Sequence, residues 1–192
     1  EAPMVYAMLT VMNSAIIDLC LLKEKDTLVD KLDRMYVRDE LTKLYNRFGM
    51  RRFVNKIMEV AKRDEKYIMC IELDLDGLKK INDTYGHDAG DNAIVQVANA
   101  MRQASEHREV CIRSGGDEYL VFGIAERESD ATAFVRRMEE YNDRNRWPYR
   151  VECSYGYCVH QAAEVHSMEE MVTEADKMLY QVKARRKTIR NE

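Results

Sequence analysis

The sequence predicts an α/β sandwich, with helices covering a mixed sheet. Three observations carry that expectation. Apolar, strand-like runs alternate with segments of helical periodicity after residue 39. One hairpin interrupts the alternation at "SGGDEY" (Ser114–Tyr119), where two glycines separate "EVCIRS" from "YLVFGIA". The 192 residues are 46% hydrophobic and 33% charged, enough apolar material for one core and too much for disorder. Two prolines and eight glycines leave room for long regular elements.

The elements follow in order. Residues 4–37 read as a helix. Leu9, Met12, Ile16 and Leu19 form one heptad seam, and Val29, Leu32 and Tyr36 another, out of phase across "KEKD". A two-chain coiled coil ahead of the compact domain is preferred to a helix packed on its own domain. The boundary falls at residue 38, with 1–38 as a signalling helix and 39–192 as the domain. "DELTKLYNR" (Asp39–Arg47) is a polar junction, followed by a helix to about Arg63. "KYIMCIELDLD" is a strand up to Asp74. "GLKKINDTYG" suggests a short helix. "DNAIVQVANAMRQAS" is a longer one, with Ile94, Val97, Ala98 and Met101 on one face. A helix over Ser129–Arg144 precedes "RVECSYGYCVH", one long strand or a strand pair. Ser167 and Glu170 make a capping box. The helix it opens buries Met171, Val172, Ala175, Met178, Leu179 and Val182.

Composition excludes several functions. A net charge of −4 argues against binding nucleic acid through a basic face. No apolar run is long enough to span a membrane, and no secretory leader is expected. Cys20, Cys70, Cys111, Cys153 and Cys158 form no C-x-x-C pair. Their odd count reads as reduced core thiols of a cytoplasmic protein, and their spacing argues against a zinc site or a disulfide framework. The chain opens on Glu1, so an upstream region holding a sensor or a membrane anchor is expected.

Taken alone, the Gly115-Gly116 turn is a strong hairpin signal whose central positions call for positive φ, and Asp117 and Glu118 are ordinary solvated acids beside it. Asp74 changes that reading. It ends an apolar strand, where α/β proteins bind ligands. If that strand neighbours the hairpin, Asp74, Asp117 and Glu118 converge, and oxygen ligands of that kind suit Mg²⁺. The D-x-D does not fit an EF-hand, because Gly77 falls at the fourth loop position and no glutamate at the twelfth. Neither a Walker A nor a G-x-G-x-x-G pattern occurs. "LKKINDTYGHDAGD" (Leu78–Asp91) adds Asn82, His87, Asp88 and Asp91. An amide with a carboxylate can read the Watson–Crick edge of guanine. Asp88 is expected to cap the following helix.

"DELTKLYNR", "DLDGLKKINDTYGHDAGD", "RSGGDEY" and "ADKMLYQVK", in this order and spacing, resemble the GGDEF domain of diguanylate cyclases over about Asp39–Lys183. The resemblance implies the ferredoxin-like or palm fold of nucleotide cyclases and polymerases. It implies condensation of two GTP into cyclic di-GMP with release of two pyrophosphates. It also implies a homodimer, formed through the N-terminal helix and facing active sites, with two Mg²⁺ ions, or Mn²⁺, per site. Asp74, the Leu75 carbonyl, Asp117 and Glu118 become metal ligands, with Asp117 as base and Glu118 beside it in the catalytic centre. Asn82, His87 and Asp91 contact the guanine nucleotide. Lys79 and Lys183, with the backbone amides of Gly77 and Leu78, hold phosphates; Asp76 is structural.

The sequence departs from that family pattern at four places. Tyr119 and Leu78 replace phenylalanines. Arg185-Arg186-Lys187-Thr188 replaces a G-R-N run after Lys183, leaving Lys187 as a second phosphate cation. Glu106 and Glu109 occupy the R-x-x-D positions of the inhibitory product site, so weak product inhibition is expected. Two other functions fit the same chain: a catalytically weak or inactive GTP-binding module, and a dimerisation or relay segment with no nucleotide affinity.

Overall fold

A computed structural model of the chain describes Lys23 and residues 36–106, 108–144 and 147–190, with side chains as far as 186. Residues 1–37 and 38–192 form separate units; in the first, only Lys23, Tyr36 and Val37 are described. The expected heptad seams and the Lys187 side chain therefore lie outside the described residues.

The second unit runs α1 (Arg47–Arg63), β1 (Tyr67–Leu75), α2 (Leu78–Tyr85), α3 (His87–Ala104), β2 (Glu109–Arg113), β3 (Glu118–Ala125), α4 (Ser129–Arg144), β4 (Cys153–Gln161) and α5 (Met168–Arg190). A single 3₁₀ turn, Ala162–Glu164, links β4 to α5. The strands form one sheet in the order β2-β3-β1-β4. This is an α+β sandwich of the ferredoxin-like kind.

One detail differs from the expectation of a mixed sheet. All three ladders are antiparallel; among the described residues, the parallel pairing is the isolated bridge Tyr45–Ile112. The reason is topological. β3 inserts between β1 and β2, and β1 lies between β3 and β4. Strands joined across a helix are therefore separated by a strand running the other way.

Both faces of the sheet are covered, which explains the near-continuous apolar run of β1. Met69, Ile71, Leu73 and Leu75 pack with Ala93, Val97 and Met101 of α3 and Phe134 and Met138 of α4. Ile68 and Cys70 face the other way, against Val54 and Ala61 of α1 and Met171 and Ala175 of α5. β4 is one strand, not two. Its Gly156 lies against the backbone of α5: a Cβ there would come 2.2 Å from the Ala175 carbonyl oxygen. Ser167 caps α5 by accepting from the Glu170 N–H at 3.2 Å, as its spacing predicts. Met171, Ala175 and Leu179 of that helix are buried, while Val172, Met178 and Val182 are half-buried.

Candidate functional site

Side chains alternate along β1, so Ile68, Cys70, Glu72 and Asp74 share one face. The first two belong to the core. The last two emerge where the sheet ends. In the β1–β3 ladder Asp74 pairs directly with Glu118, and Glu72 with Leu120. The Leu75 N–H donates to the Asp117 carbonyl at 3.0 Å, which ties the strand end to the hairpin tip. From α5, Lys183 Nζ reaches Asp74 Oδ2 at 2.6 Å. Burial pushes the Asp74 carboxyl above its ordinary range, Lys183 pulls it back, and the Asp117 and Asp76 charges push it up again. The structure thus brings together Asp74, Asp117, Glu118 and Lys183, four residues from three separate segments.

The hairpin is held by residues to which sequence reasoning gave no role. Arg113, at the end of β2, donates from Nη2 to the Gly116 carbonyl at 2.7 Å and from Nε to the Gly115 carbonyl at 3.1 Å. Its Nη1 meets Asp39 Oδ1 at 3.1 Å. Asp39 in turn accepts from the Thr42 N–H at 2.8 Å and the Thr42 hydroxyl at 2.6 Å. Arg47 Nε donates to the Ser114 carbonyl at 2.5 Å. The "DELTKLYNR" junction is therefore the brace of the turn. The available signal was Arg113, two positions ahead of the first glycine.

The turn itself differs from expectation. Among the described glycines only Gly77 and Gly86 have positive φ. Ser114–Asp117 form a four-residue loop, and the Ser114 and Gly115 N–H groups both donate to the Glu118 carbonyl, at 3.0 and 3.3 Å. A Cβ at Gly115 would lie 2.5 Å from Glu118 Oε2, the rotatable end of an exposed side chain, so a side chain there would turn the Glu118 carboxylate.

Gly77, at φ 75°, turns the chain out of β1 into α2 in a left-handed conformation that a side chain resists. The Leu78, Lys79 and Lys80 N–H groups precede the first intrahelical bond, from the Ile81 N–H to the Gly77 carbonyl at 3.1 Å. Lys79 is exposed on this first turn. Further along α2, Asn82 presses on α3 at Gly90, where a Cβ would fall 1.8 Å from Asn82 Oδ1. That oxygen is buried without a hydrogen-bond partner. Asp91, the next residue after Gly90, is exposed, as is His87 at the start of α3. Asp88 does not cap the helix. Gly86 occupies the cap position without a side-chain bond, and Asp88 lies in the first turn, where its charge favours the helix dipole.

Glu72 was missed. Its Oε2 is buried without a partner, and burial, with Asp176, Glu118 and Asp74 nearby, pushes its carboxyl up to about 7. A glutamate inside "YIMCIELDL" was the visible signal. Asp76 accepts from Arg186 Nη1 at 2.6 Å and from the Ser154 hydroxyl at 2.9 Å, a structural role as expected. The Tyr119 ring is buried, and its hydroxyl donates to the Ile94 carbonyl at 3.1 Å, so the extra oxygen is satisfied. Glu109 Oε2 accepts from the Ser105 hydroxyl and the Glu106 and Arg108 N–H groups. Arg137 lies 3.6 Å from Glu106 and 4.0 Å from Glu109.

The donor set at the sheet end is all oxygen, carries several negative charges, and includes the Asp74 carboxyl pushed up by burial and by the Asp117 and Asp76 charges. It fits a hard divalent cation and not a soft one. Among the described residues no helix is long and apolar enough to cross a membrane.

Comparison with known proteins agrees with this geometry. The family profile described as "Diguanylate cyclase, GGDEF domain" matches residues 36–188. The bifunctional diguanylate cyclase/cyclic di-GMP phosphodiesterase MucR of Pseudomonas aeruginosa is 29% identical over 80% of this chain and 23% of its own length. Diguanylate cyclase DgcS of Shewanella oneidensis is 31% identical over 76% of this chain and 49% of its own. The chain thus spans half or less of these curated relatives. Among solved structures, diguanylate cyclase SiaD of P. aeruginosa, in complex with its activator SiaC, superposes with a TM-score of 0.71 at 28% identity. The match covers 91% of this chain and 68% of that one. The coiled coil and GGDEF domain of DgcB from Caulobacter crescentus, in complex with c-di-GMP, matches in fold with a TM-score of 0.76 at 22% identity, over 90% and 94% of the two chains.

Proposed function

The chain belongs to the GGDEF family of diguanylate cyclase domains, and from that premise we propose that it condenses two GTP into cyclic di-GMP, releasing two pyrophosphates, as a homodimer with Mg²⁺. The observation that carries the reading is the meeting of Asp74, Asp117 and Glu118 with Lys183 at one end of the sheet. Each protomer holds one GTP, and the 3′-hydroxyl of each attacks the α-phosphorus of the other. Asn82 and Asp91 hold the guanine edge, with Asp91 accepting from N1–H and N2–H, and His87 stands beside the same nucleotide. The amides of Gly77 and Leu78, with Lys79 and Lys183, take the phosphates. Asp117 accepts the 3′-hydroxyl proton at a carboxylate oxygen.

Asp74, the Leu75 carbonyl, Asp117 and Glu118 would hold the metal, which when bound supplies Lewis acidity at the phosphoryl group and neutralises the departing pyrophosphate. The remaining work is positioning by a braced hairpin and a rigid strand end. In this reading residues 1–38 form the dimerising signalling helix, residues 39–192 the catalytic domain, an upstream sensor controls the pairing, and the domain works in the cytoplasm.

The test is incubation of the dimeric chain with GTP and Mg²⁺. Cyclic di-GMP with two pyrophosphates per product supports the reading; none from a dimeric, GTP-bound sample overturns it. A second reading, a GTP-binding module without turnover, is favoured by one observation. Arg186, in the run that replaces G-R-N, is engaged by Asp76 and Ser154. GTP binding without pyrophosphate release, even after enforced dimerisation, selects it.

A further inference from the structure

At the other end of β4 lies a cluster that the nucleotide site does not use. β4 pairs with β1 so that Ser154 stands opposite Asp74, while Cys158 stands opposite Cys70 and His160 opposite Ile68. Cys158 and His160, two residues apart on one strand, project from the same face. Glu174 of α5 meets them there. His160 Nε2 and Glu174 Oε2 are 2.8 Å apart. The Cys158 sulfur, the imidazole nitrogen and the carboxylate oxygen all lie within 4.8 Å of one another.

We propose that Cys158, His160 and Glu174 form a transition-metal site, specific for Zn²⁺ or a similar borderline cation, that clamps α5 to β4. One sulfur, one nitrogen and one oxygen match that class of ion, and hard Mg²⁺ has no use for the thiolate. Zinc bonds of about 2.0–2.3 Å place ligand atoms at the separations this cluster already approaches. The site has a closed side and an open side. Cys158 is buried, with its thiol donating to the Met171 carbonyl at 3.3 Å. The His160 and Glu174 side chains are 37% and 52% exposed, which gives the ion an entry path and leaves water a fourth position.

A second thiol supports the assignment. Cys70 faces Cys158 directly across the ladder. It provides a polarisable wall behind the ligand sulfur. On binding, the Cys158 thiol gives its proton to the buffer and its Met171 bond is exchanged for a metal bond. The C-x-x-C spacing rule overlooked this cluster, because its donors come from a strand and from a helix 14 residues further on.

The consequence reaches the nucleotide site through α5, which carries Glu174 and, further along, Lys183. A metal at Glu174 fixes the helix that also supplies the Lys183 cation on Asp74.

Co²⁺ titration of the full chain under reducing, metal-free conditions tests the site, with Co²⁺ as the coloured substitute for Zn²⁺. We expect a near-ultraviolet thiolate-to-cobalt band that saturates at one equivalent, persists in excess Mg²⁺ and is abolished by Zn²⁺. C158S removes the band, and H160A weakens binding at least ~10-fold. C70S retains it. Zn²⁺ raises the melting temperature of the parent by about 5 °C at saturation, and H160A, altered at an exposed position, folds but loses that shift. No band in the folded, reduced chain, a band that survives C158S, or an equal Zn²⁺ shift in H160A overturns the proposal. None of these readings requires GTP or turnover, so they stand apart from the test of cyclase activity.

Discussion

Lys183 Nζ sits 2.6 Å from Asp74 Oδ2, so a helix cation occupies the carboxylate at the end of β1. In the proposed reaction both groups change partners when GTP and Mg²⁺ bind, the lysine turning to phosphate and the aspartate to metal. Lys183→Met therefore has opposite effects on the two ligands. Mg²⁺ binding to the nucleotide-free chain tightens by about 2- to 5-fold, because a partly exposed pair of this kind is worth roughly 0.5–1 kcal/mol. GTP affinity falls by at least ~10-fold. Calorimetric titrations with each ligand check both signs.

Asp117 contributes its carbonyl to the Leu75 N–H through the backbone alone. Asp117→Asn keeps that bond and the hairpin. It should lower cyclic di-GMP formation about a thousandfold, within the range of a lost base, while the melting temperature stays within about 2 °C. Near-normal turnover would remove the role assigned to Asp117.

Arg113 grips the two glycine carbonyls from behind while leaning on Asp39. Arg113→Ala should cut kcat roughly 10- to 100-fold with a smaller change in KM, because the tip loses its position and the guanine contacts do not. Asp39→Asn should act in the same direction and more weakly. A steady-state comparison that finds KM alone affected would contradict the bracing role.

Two glycine-to-alanine substitutions should separate function from stability. At Gly90 the new methyl meets the rotatable end of Asn82. Gly90→Ala should leave the fold nearly as stable and raise KM for GTP about tenfold, as Asn82 is turned out of place. At Gly156 the methyl meets the backbone of α5 near Ala175 and Leu179, which cannot give way locally. Gly156→Ala should cost about 3 kcal/mol in denaturant unfolding.

Glu72 gives a pH signature. Its folded carboxyl is raised to about 7 from an ordinary 4.5, so the native state holds its proton more tightly than the unfolded chain. Its stabilising contribution is complete below pH 4.5 and is lost as pH rises through 7. Glu72→Gln should therefore gain stability relative to the parent between pH 5 and 8. Discounted for partial exposure, the gain is about 1–2 kcal/mol at pH 8. Melting curves in metal-free buffer across that range provide the check.

Much of this could be read from the residues themselves. β1 announced itself because burial on both faces makes nearly every position apolar, and Asp74 stood out at its end for the same reason. The antiparallel character of the sheet was not legible, since alternation of elements does not say which strand inserts between two others. Nor was the purpose of Gly115. Its neighbour Glu118 is three positions away, and only the folded turn reveals that a carboxylate, and not a left-handed dihedral angle, marks that position. Glu72 was visible as a polar residue in an apolar strand. Its environment comes from Glu118 and Asp176, which no local pattern joins to it.

The Asp76–Arg186 pair joins residues 110 positions apart, and Asp74 meets Lys183 across a similar length of chain. Such closures come late when a chain assembles, because their entropy must be met before they contribute. An unfinished or nascent chain would carry its acidic motif without the helix that completes it. Residues read late in this sequence thus complete a site that earlier ones begin.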